Sequence, residues 1–145
     1  MQVFRATDQD ATLVGWGVRV MLLAQEDSEG AQVVAKRIAG FGGLIEAESE
    51  VFASLSAMID DPLGYGLFVM DCDAFGGLEA GMKAFSMLRA VRSRVPVILI
   101  SRECDEQIFP EDRSAPIILR SPLSAVSLRV GFEHALRERL LMRAA

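Results

Sequence analysis

Cysteine, histidine and basic residues are scarce in this sequence. It has two cysteines, Cys72 and Cys104, and one histidine, His134, which are too few for a disulfide framework or for a cluster of thiolate metal ligands. We therefore expect a reducing compartment. Lysine and arginine total 15 against 20 acidic residues, so the net charge is -5. Nucleic-acid binding needs a cationic surface that replaces the counterions of the phosphates, so this composition argues against it.

Long apolar runs are absent as well. No stretch approaches the roughly 20 apolar residues that a membrane-spanning helix needs, and residues 1–12 lack the basic start and apolar run of a secretory signal peptide. A chain of 145 residues, 51% of them hydrophobic, can bury the core of one domain. We expect a cytoplasmic protein without a membrane segment, with residues 1–17 as an N-terminal extension and residues 18–145 as a single domain.

Short apolar runs alternate with segments of helical apolar spacing. Buried strands are predicted where four or so apolar residues stand together, and a weaker strand at 44–47; the runs lie at 18–24, 67–71, 97–100 and 116–120. Helices are predicted between them and at the C-terminal end, at 28–39, 51–59, from 78 towards Val95-Pro96, and along Leu128, Phe132, Leu136 and Leu140. Residues 102–114 contain Pro110 and fit at most a short helix. This alternation predicts an α/β fold of flavodoxin-like type, a three-layer α/β/α sandwich with five parallel strands in the order 2-1-3-4-5.

Acidic residues follow two strands that this order makes neighbours. Asp71 ends the third strand, and Gln25, Glu26 and Asp27 follow the first. In such sheets ligands bind outside the carboxyl ends of the strands, at the point where the strand order reverses. Crowded carboxylates repel one another, and Mg²⁺, which prefers oxygen ligands, relieves that repulsion. We expect Glu26, Asp71 and the backbone carbonyl of Asp73 as its ligands; the alternative is that these acids are merely solvated.

Two serines end the remaining strands. Ser101 closes the fourth strand beside Asp71, so its hydroxyl can donate to an oxygen of a group attached to that aspartate; the alternative is that it caps the segment that follows. Ser121 follows the fifth strand, directly after Arg120. His134 is interpreted as a packed or solvated helix residue. Cys72 is interpreted as a small buried residue, because no histidine is placed to activate it.

Four strand-end segments together resemble the receiver domain of bacterial two-component response regulators. They are LLAQED at 22–27, LFVMD at 67–71, PVILIS at 96–101 and ILRSPL at 118–123, and the resemblance covers roughly residues 18–140. It implies that Asp71 accepts a phosphoryl group from a histidine kinase or phosphotransfer protein. It also implies that Glu26 and, more weakly, Gln25 match the acidic pair that helps to hold Mg²⁺.

The resemblance assigns the serines as well. Ser101 matches the hydroxyl residue that moves toward the phosphoryl group, and Ser121 stands at the position of the family's lysine. The peptide bond before Pro122 is expected to be cis. Loss of the lysine removes a charge-assisted contact worth about 1.5 to 3 kcal/mol. Arg120 is a candidate replacement, but successive strand residues point to opposite sides of a sheet, so it should point away from where Ser121 points.

Further departures from the family concern other positions. Gln25 is neutral where the family has an acid, Phe75 replaces a proline, and Ile118 stands where an aromatic residue is frequent. Residues 102–114 replace a helix that many receivers use for output. Stand-alone receivers often pair through their fourth and fifth units, so the resemblance also admits a homodimer.

The sequence therefore leads to three candidate functions. The first is a stand-alone receiver, not an enzyme, that is phosphorylated at Asp71 and signals to a downstream protein partner. The second is a phosphorylation-independent pseudo-receiver that acts as a protein-interaction module. The third, a flavin-binding protein, is disfavoured, because the acidic loop at 25–30 would repel a flavin phosphate.

Overall fold

A computed structural model describes residues 16–137 of the chain. The strands are β1 Arg19–Leu23, β2 Leu44–Glu48, β3 Leu67–Asp71, β4 Val97–Ser101 and β5 Ile117–Arg120. The helices are α1 Glu29–Gly40, α2 Val51–Asp60, α3 Leu78–Ala90 and α4 Ala125–Ala135, and a 3₁₀ turn, Cys72–Phe75, follows β3. Residues 1–15 and 138–145 lie outside the described residues, as do most of the predicted extension and the last predicted helical position, Leu140.

The five strands form one parallel sheet in the order β2-β1-β3-β4-β5, which confirms the predicted topology. Leu23 of β1 lies beside Met70 of β3, and Asp71 lies beside Ile100 of β4. The carboxyl ends of the three central strands therefore share one edge of the sheet.

Both faces of the sheet are covered by helices. Val34 of α1 and Phe132 of α4 are buried in one cluster with Val69 of β3, whereas Leu55 of α2 and Leu88 of α3 are buried in a second cluster on the opposite face. Successive residues of β3 alternate between these clusters, because side chains of a strand point alternately to its two faces. This arrangement confirms the predicted three-layer sandwich.

Capping residues set the starts of α1 and α2. The hydroxyl of Ser28 accepts a hydrogen bond from the backbone N–H of Ala31 at 3.2 Å, as a serine N-cap does. The carboxylate of Glu50 accepts from the N–H groups of Phe52 and Ala53 at 3.2 and 2.8 Å. Both caps satisfy backbone donors that would otherwise have no partner within the helix.

Helix α3 ends earlier than the predicted stop at Val95-Pro96. Arg92 adopts a positive φ of 65°, and the backbone N–H of Ser93 bonds back to the carbonyl of Leu88 at 3.0 Å. A left-handed residue after the last turn satisfies terminal carbonyls in this way. The last buried side chain of the helix is Leu88, and Val91, which follows the helix, is exposed.

The segment between β4 and β5 forms no α-helix. Ile108 makes an isolated antiparallel bridge to Ile118 of β5, and the imidazole of His134 contacts the carbonyl oxygen of Pro110. Arg89 donates to the carbonyl of Arg113 at 2.8 Å. The fourth strand–helix unit therefore lacks its helix and is held by contacts with β5, α3 and α4. Within residues 16–137, no helix is long and apolar enough to cross a membrane.

Candidate functional site

Asp71 lies at the carboxyl end of β3, half-buried at the edge where β1, β3 and β4 end. Burial raises the pKa of its carboxyl group, and the negative charge of Asp73 raises it further. The backbone N–H of Asp73 and the charge of Arg102 offset part of this increase. None of the ion pairs within residues 16–137 includes Asp71. Repulsion between the Asp71 and Asp73 carboxylates is a condition that a divalent metal ion would relieve.

Asp73 has the opposite environment, although it lies only two residues away. Its carboxylate accepts a hydrogen bond from the Ser101 hydroxyl at 2.6 Å and another from the Arg102 backbone N–H at 2.7 Å. The guanidinium of Arg102 lies 3.4 Å from the same carboxylate. Burial works against the charged form of Asp73, but these hydrogen bonds and the Arg102 charge hold its pKa below the usual value. Asp73 therefore stays ionised to lower pH than Asp71.

The loop after β4 is tied to the start of α3 by the same group of residues. The Ser101 hydroxyl accepts from the backbone N–H of Glu103 at 3.0 Å, and the Glu103 carboxylate accepts from the backbone N–H of Leu78 at 2.6 Å. Gly77 adopts a φ of +93°, and a Cβ there would lie 2.4 Å from the Glu103 carboxylate. We name Asp73, Ser101, Arg102, Glu103 and Leu78 together the clasp, because they join the ends of β3 and β4 to α3.

Sequence reasoning predicted that Ser101 would face a group on Asp71. The structure brings the serine to the same edge and buries it completely, but its hydroxyl donates to Asp73. The side chains of Asp73 and Glu103 were not expected to have a role. Their positions after β3 and β4 were visible in the sequence, but nothing in the sequence indicated the direction in which their carboxylates point.

Gln25 and Glu26 follow β1 at the same edge of the sheet, and both are exposed. Within the described residues no group of three or more histidine, cysteine, aspartate or glutamate side chains is placed to hold a metal ion. A Mg²⁺ site would therefore rely on the carboxylates of Glu26 and Asp71, the backbone carbonyl of Asp73 and water. Such an oxygen donor set fits Mg²⁺, which keeps several waters and binds one or two carboxylates.

Ser121 is half-buried and, together with Asp71, lines a cavity of about 250 Å³. Its backbone N–H donates to the carbonyl of Ser101 at 3.1 Å, and the Ser121–Pro122 peptide bond is cis, as the sequence resemblance implied. Arg120 is exposed and does not line this cavity. The site therefore has a hydroxyl group, beside an apolar cavity, at the position where the resemblance expects a lysine.

Cys72 and His134 occupy structural positions. Cys72 is fully buried, and burial raises the pKa of its thiol to about 12, so the thiolate that a nucleophile needs is not formed near neutral pH. His134 contacts the Pro110 carbonyl, and its ring and that of Phe109 are close to perpendicular, with centroids 5.7 Å apart. Both placements agree with the interpretations made from the sequence.

Comparisons with known proteins identify the fold. No protein-family model and no curated protein matches the chain. A response regulator receiver domain from Clostridium thermocellum superposes with a TM-score of 0.68 at 16% identity, over 86% of this chain and 98% of the other. The response regulator PhyR from Brucella abortus gives 0.64 at 14% identity, over 91% of this chain and 53% of that one.

A third similar structure was solved with ligands. It is the receiver domain of a histidine kinase from Arabidopsis thaliana, in complex with Mg²⁺ and BeF₃⁻, with a TM-score of 0.60 at 14% identity over 89% of this chain and 93% of the other. The bound Mg²⁺ and BeF₃⁻ belong to that protein. The strand order, the two helical layers and these superpositions agree that the chain has the fold of response regulator receiver domains, in a divergent form.

Proposed function

We propose that this chain is a receiver-like domain of a two-component phosphorelay and that Asp71 is its phosphoacceptor. The observation that supports the proposal is the position of Asp71. Its half-buried carboxylate ends the central strand, at the point where the strand order reverses, and no ion pair within residues 16–137 neutralises it. A carboxylate in that place is accessible to a donor and is held by a rigid strand.

The reaction would transfer a phosphoryl group from a histidine of a kinase or phosphotransfer protein. A carboxylate oxygen of Asp71 attacks phosphorus, the new P–O bond forms as the P–N bond breaks, and the electron pair leaves with the imidazole nitrogen. Bound Mg²⁺ would neutralise charge on the phosphoryl oxygens. Glu26, Asp71 and the Asp73 carbonyl would hold it, and Gln25 would contribute weakly.

Phosphorylation by a small-molecule donor tests this proposal. The protein is incubated with acetyl phosphate and Mg²⁺, and intact mass spectrometry measures the addition of one phosphoryl group. We expect the addition in the wild-type protein and in Asp27→Asn, which removes an exposed carboxylate from the same edge, but not in Asp71→Ala. Absence of an Asp71-dependent mass increase, with Mg²⁺ present and the fold verified by circular dichroism, would refute it.

One observation favours a second function, a phosphorylation-independent interaction module. The Ser101 hydroxyl already donates to the Asp73 carboxylate, so the loop after β4 is ordered by an anion of the protein itself. In that case the amide NMR signals of Arg102 and Glu103 should stay in place when Mg²⁺ and beryllium fluoride are added. Large shifts of these signals that depend on Asp71 would favour the phosphoacceptor instead.

The remaining expectations follow from these functions. Output would pass through contacts with a downstream protein partner, and a homodimer is one candidate for that contact. We infer no catalytic turnover of its own, no nucleic-acid ligand and a cytoplasmic location. The net charge of -5 and the two free cysteines, Cys72 and Cys104, support the last two points.

A further inference from the structure

A cavity beside Asp71 is large enough to hold a small molecule. It has a volume of about 250 Å³ and lies between the start of α1 and the loop after β5. Its walls are mainly apolar, and they include Leu22, Ala24, Ala31 and Val34. For comparison, an apolar cavity of about 150 Å³ holds one benzene molecule. The cavity beside Asp71 therefore has room for a ligand of roughly ten non-hydrogen atoms.

The polar groups of the cavity select a cationic ligand. Among residues 16–137, Asp71 is the only charged residue in its lining, and Ser121 supplies the one side-chain hydroxyl. Within residues 16–137 no side chain donates a hydrogen bond to the Asp71 carboxylate or forms an ion pair with it. The loop that joins Ala24 to Gly30, two residues of the lining, exposes Glu26, whose charge would attract a cation and repel an anion.

We propose that this cavity binds a small primary amine, with the ammonium group on the Asp71 carboxylate and the alkyl chain against Ala24, Ala31 and Val34. The apolar chain gains by leaving water. The ammonium group gains a charge-assisted hydrogen bond in a partly dehydrated place. The proposal does not depend on phosphorylation, and an amine in the cavity would compete with a metal ion for Asp71.

Titration with hexylamine, followed by NMR of the alanine and valine methyl groups, tests the proposal. Hexanol has the same chain without the charge and serves as the matched ligand. Three variants accompany the wild type. Asp71→Asn removes the charge and keeps the shape, Asp27→Asn removes a nearby charge outside the cavity lining, and Ala31→Leu fills part of the cavity.

The expected result is saturable binding of hexylamine, with shifts of the Ala24, Ala31 and Val34 methyl signals and none at Val126, which is exposed on α4. The charge-assisted contact predicts that hexanol, or hexylamine with Asp71→Asn, binds at least about tenfold more weakly. Asp27→Asn should change the affinity less than threefold, and Ala31→Leu should abolish binding while keeping a wild-type spectrum elsewhere.

Three results would overturn the proposal. One is the absence of saturable hexylamine shifts in the wild-type protein. Another is equal affinity for hexanol, which would make the cavity a purely apolar one. The third is binding of a lysine-containing peptide without binding of hexylamine, which would assign the cavity to a protein partner. Each result can be obtained whether or not Asp71 accepts a phosphoryl group.

Discussion

Removal of the Asp73 carboxylate tests whether the clasp holds the loop after β4. In Asp73→Ala the Ser101 hydroxyl loses the acceptor at 2.6 Å and the Arg102 N–H loses the acceptor at 2.7 Å. The two donors differ in their access to water. Ser101 is fully buried, whereas Arg102 is exposed. Water can therefore replace the lost acceptor for Arg102 but not for Ser101.

The size of the effect follows from that difference. A buried donor left without a partner costs about 1 to 3 kcal/mol, so we expect Asp73→Ala to lower the free energy of unfolding by about 2 kcal/mol. Ser101→Ala leaves Asp73 with its Arg102 contacts and should cost about 1 kcal/mol. The double variant no longer contains the buried hydroxyl, so it should cost about 2 kcal/mol, and the two changes should be coupled by about 1 kcal/mol.

Urea unfolding of the wild type, both single variants and the double variant measures this coupling. Asp105→Ala removes an exposed carboxylate from the same segment and should change the stability by less than about 0.5 kcal/mol. The stabilisation by Asp73 should be present above pH 3.8, its ordinary pKa, and disappear as the pH falls through the lowered pKa of the folded protein. Additivity of the two single changes to within about 0.5 kcal/mol at neutral pH would refute the clasp.

Three further predictions concern neighbouring groups. Gly77→Ala should lower the free energy of unfolding by more than about 1 kcal/mol in urea, since Gly77 has a φ of +93° and a Cβ would meet Glu103; wild-type stability would contradict this. Carboxyl NMR titration should place the pKa of Asp71 above 3.8 and that of Asp73 below it, so the reverse order would exclude the described hydrogen bonds. Cys72, with a pKa of about 12, should react with iodoacetamide at pH 8 only as fast as the protein unfolds, and rapid labelling of the native protein would contradict its burial.

The central strands β1, β3 and β4 were predictable because both of their faces are buried. The run Leu67–Asp71 was predicted with the bounds that β3 has in the structure, since a central parallel strand has no polar alternation. The end of α3 and the path between β4 and β5 were not. They depend on Arg92 in a left-handed conformation and on contacts from His134 and Arg89, which come from distant parts of the chain and leave no periodic signal.

The location of the candidate site was predictable, but its hydrogen bonds were not. Strand order alone placed Asp71, Ser101 and Glu26 at one edge, because the carboxyl ends of parallel strands meet there. Whether the Ser101 hydroxyl donates to Asp71 or to Asp73 depends on side-chain rotamers and on the backbone of the 3₁₀ turn after β3. A sequence pattern specifies the positions of side chains along a strand and does not specify their rotamers.

The acceptor of the Ser101 hydroxyl determines how phosphorylation of Asp71 could affect the loop after β4. A serine hydroxyl has one hydrogen to donate, and in Ser101 it is donated to Asp73. A phosphoryl group on Asp71 could recruit this hydroxyl only by breaking that bond. A hydrogen bond to a charged group contributes about 1.5 to 3 kcal/mol, or roughly tenfold to a hundredfold in an equilibrium constant. The new hydrogen bond to the phosphoryl group has to contribute at least this much before Ser101 leaves Asp73. Glu103 bonds both to Ser101 and to the start of α3, so a movement of Ser101 away from Asp73 would also displace the start of α3. If the hydrogen bond between Ser101 and Asp73 persists, phosphorylation would leave the loop after β4 unchanged.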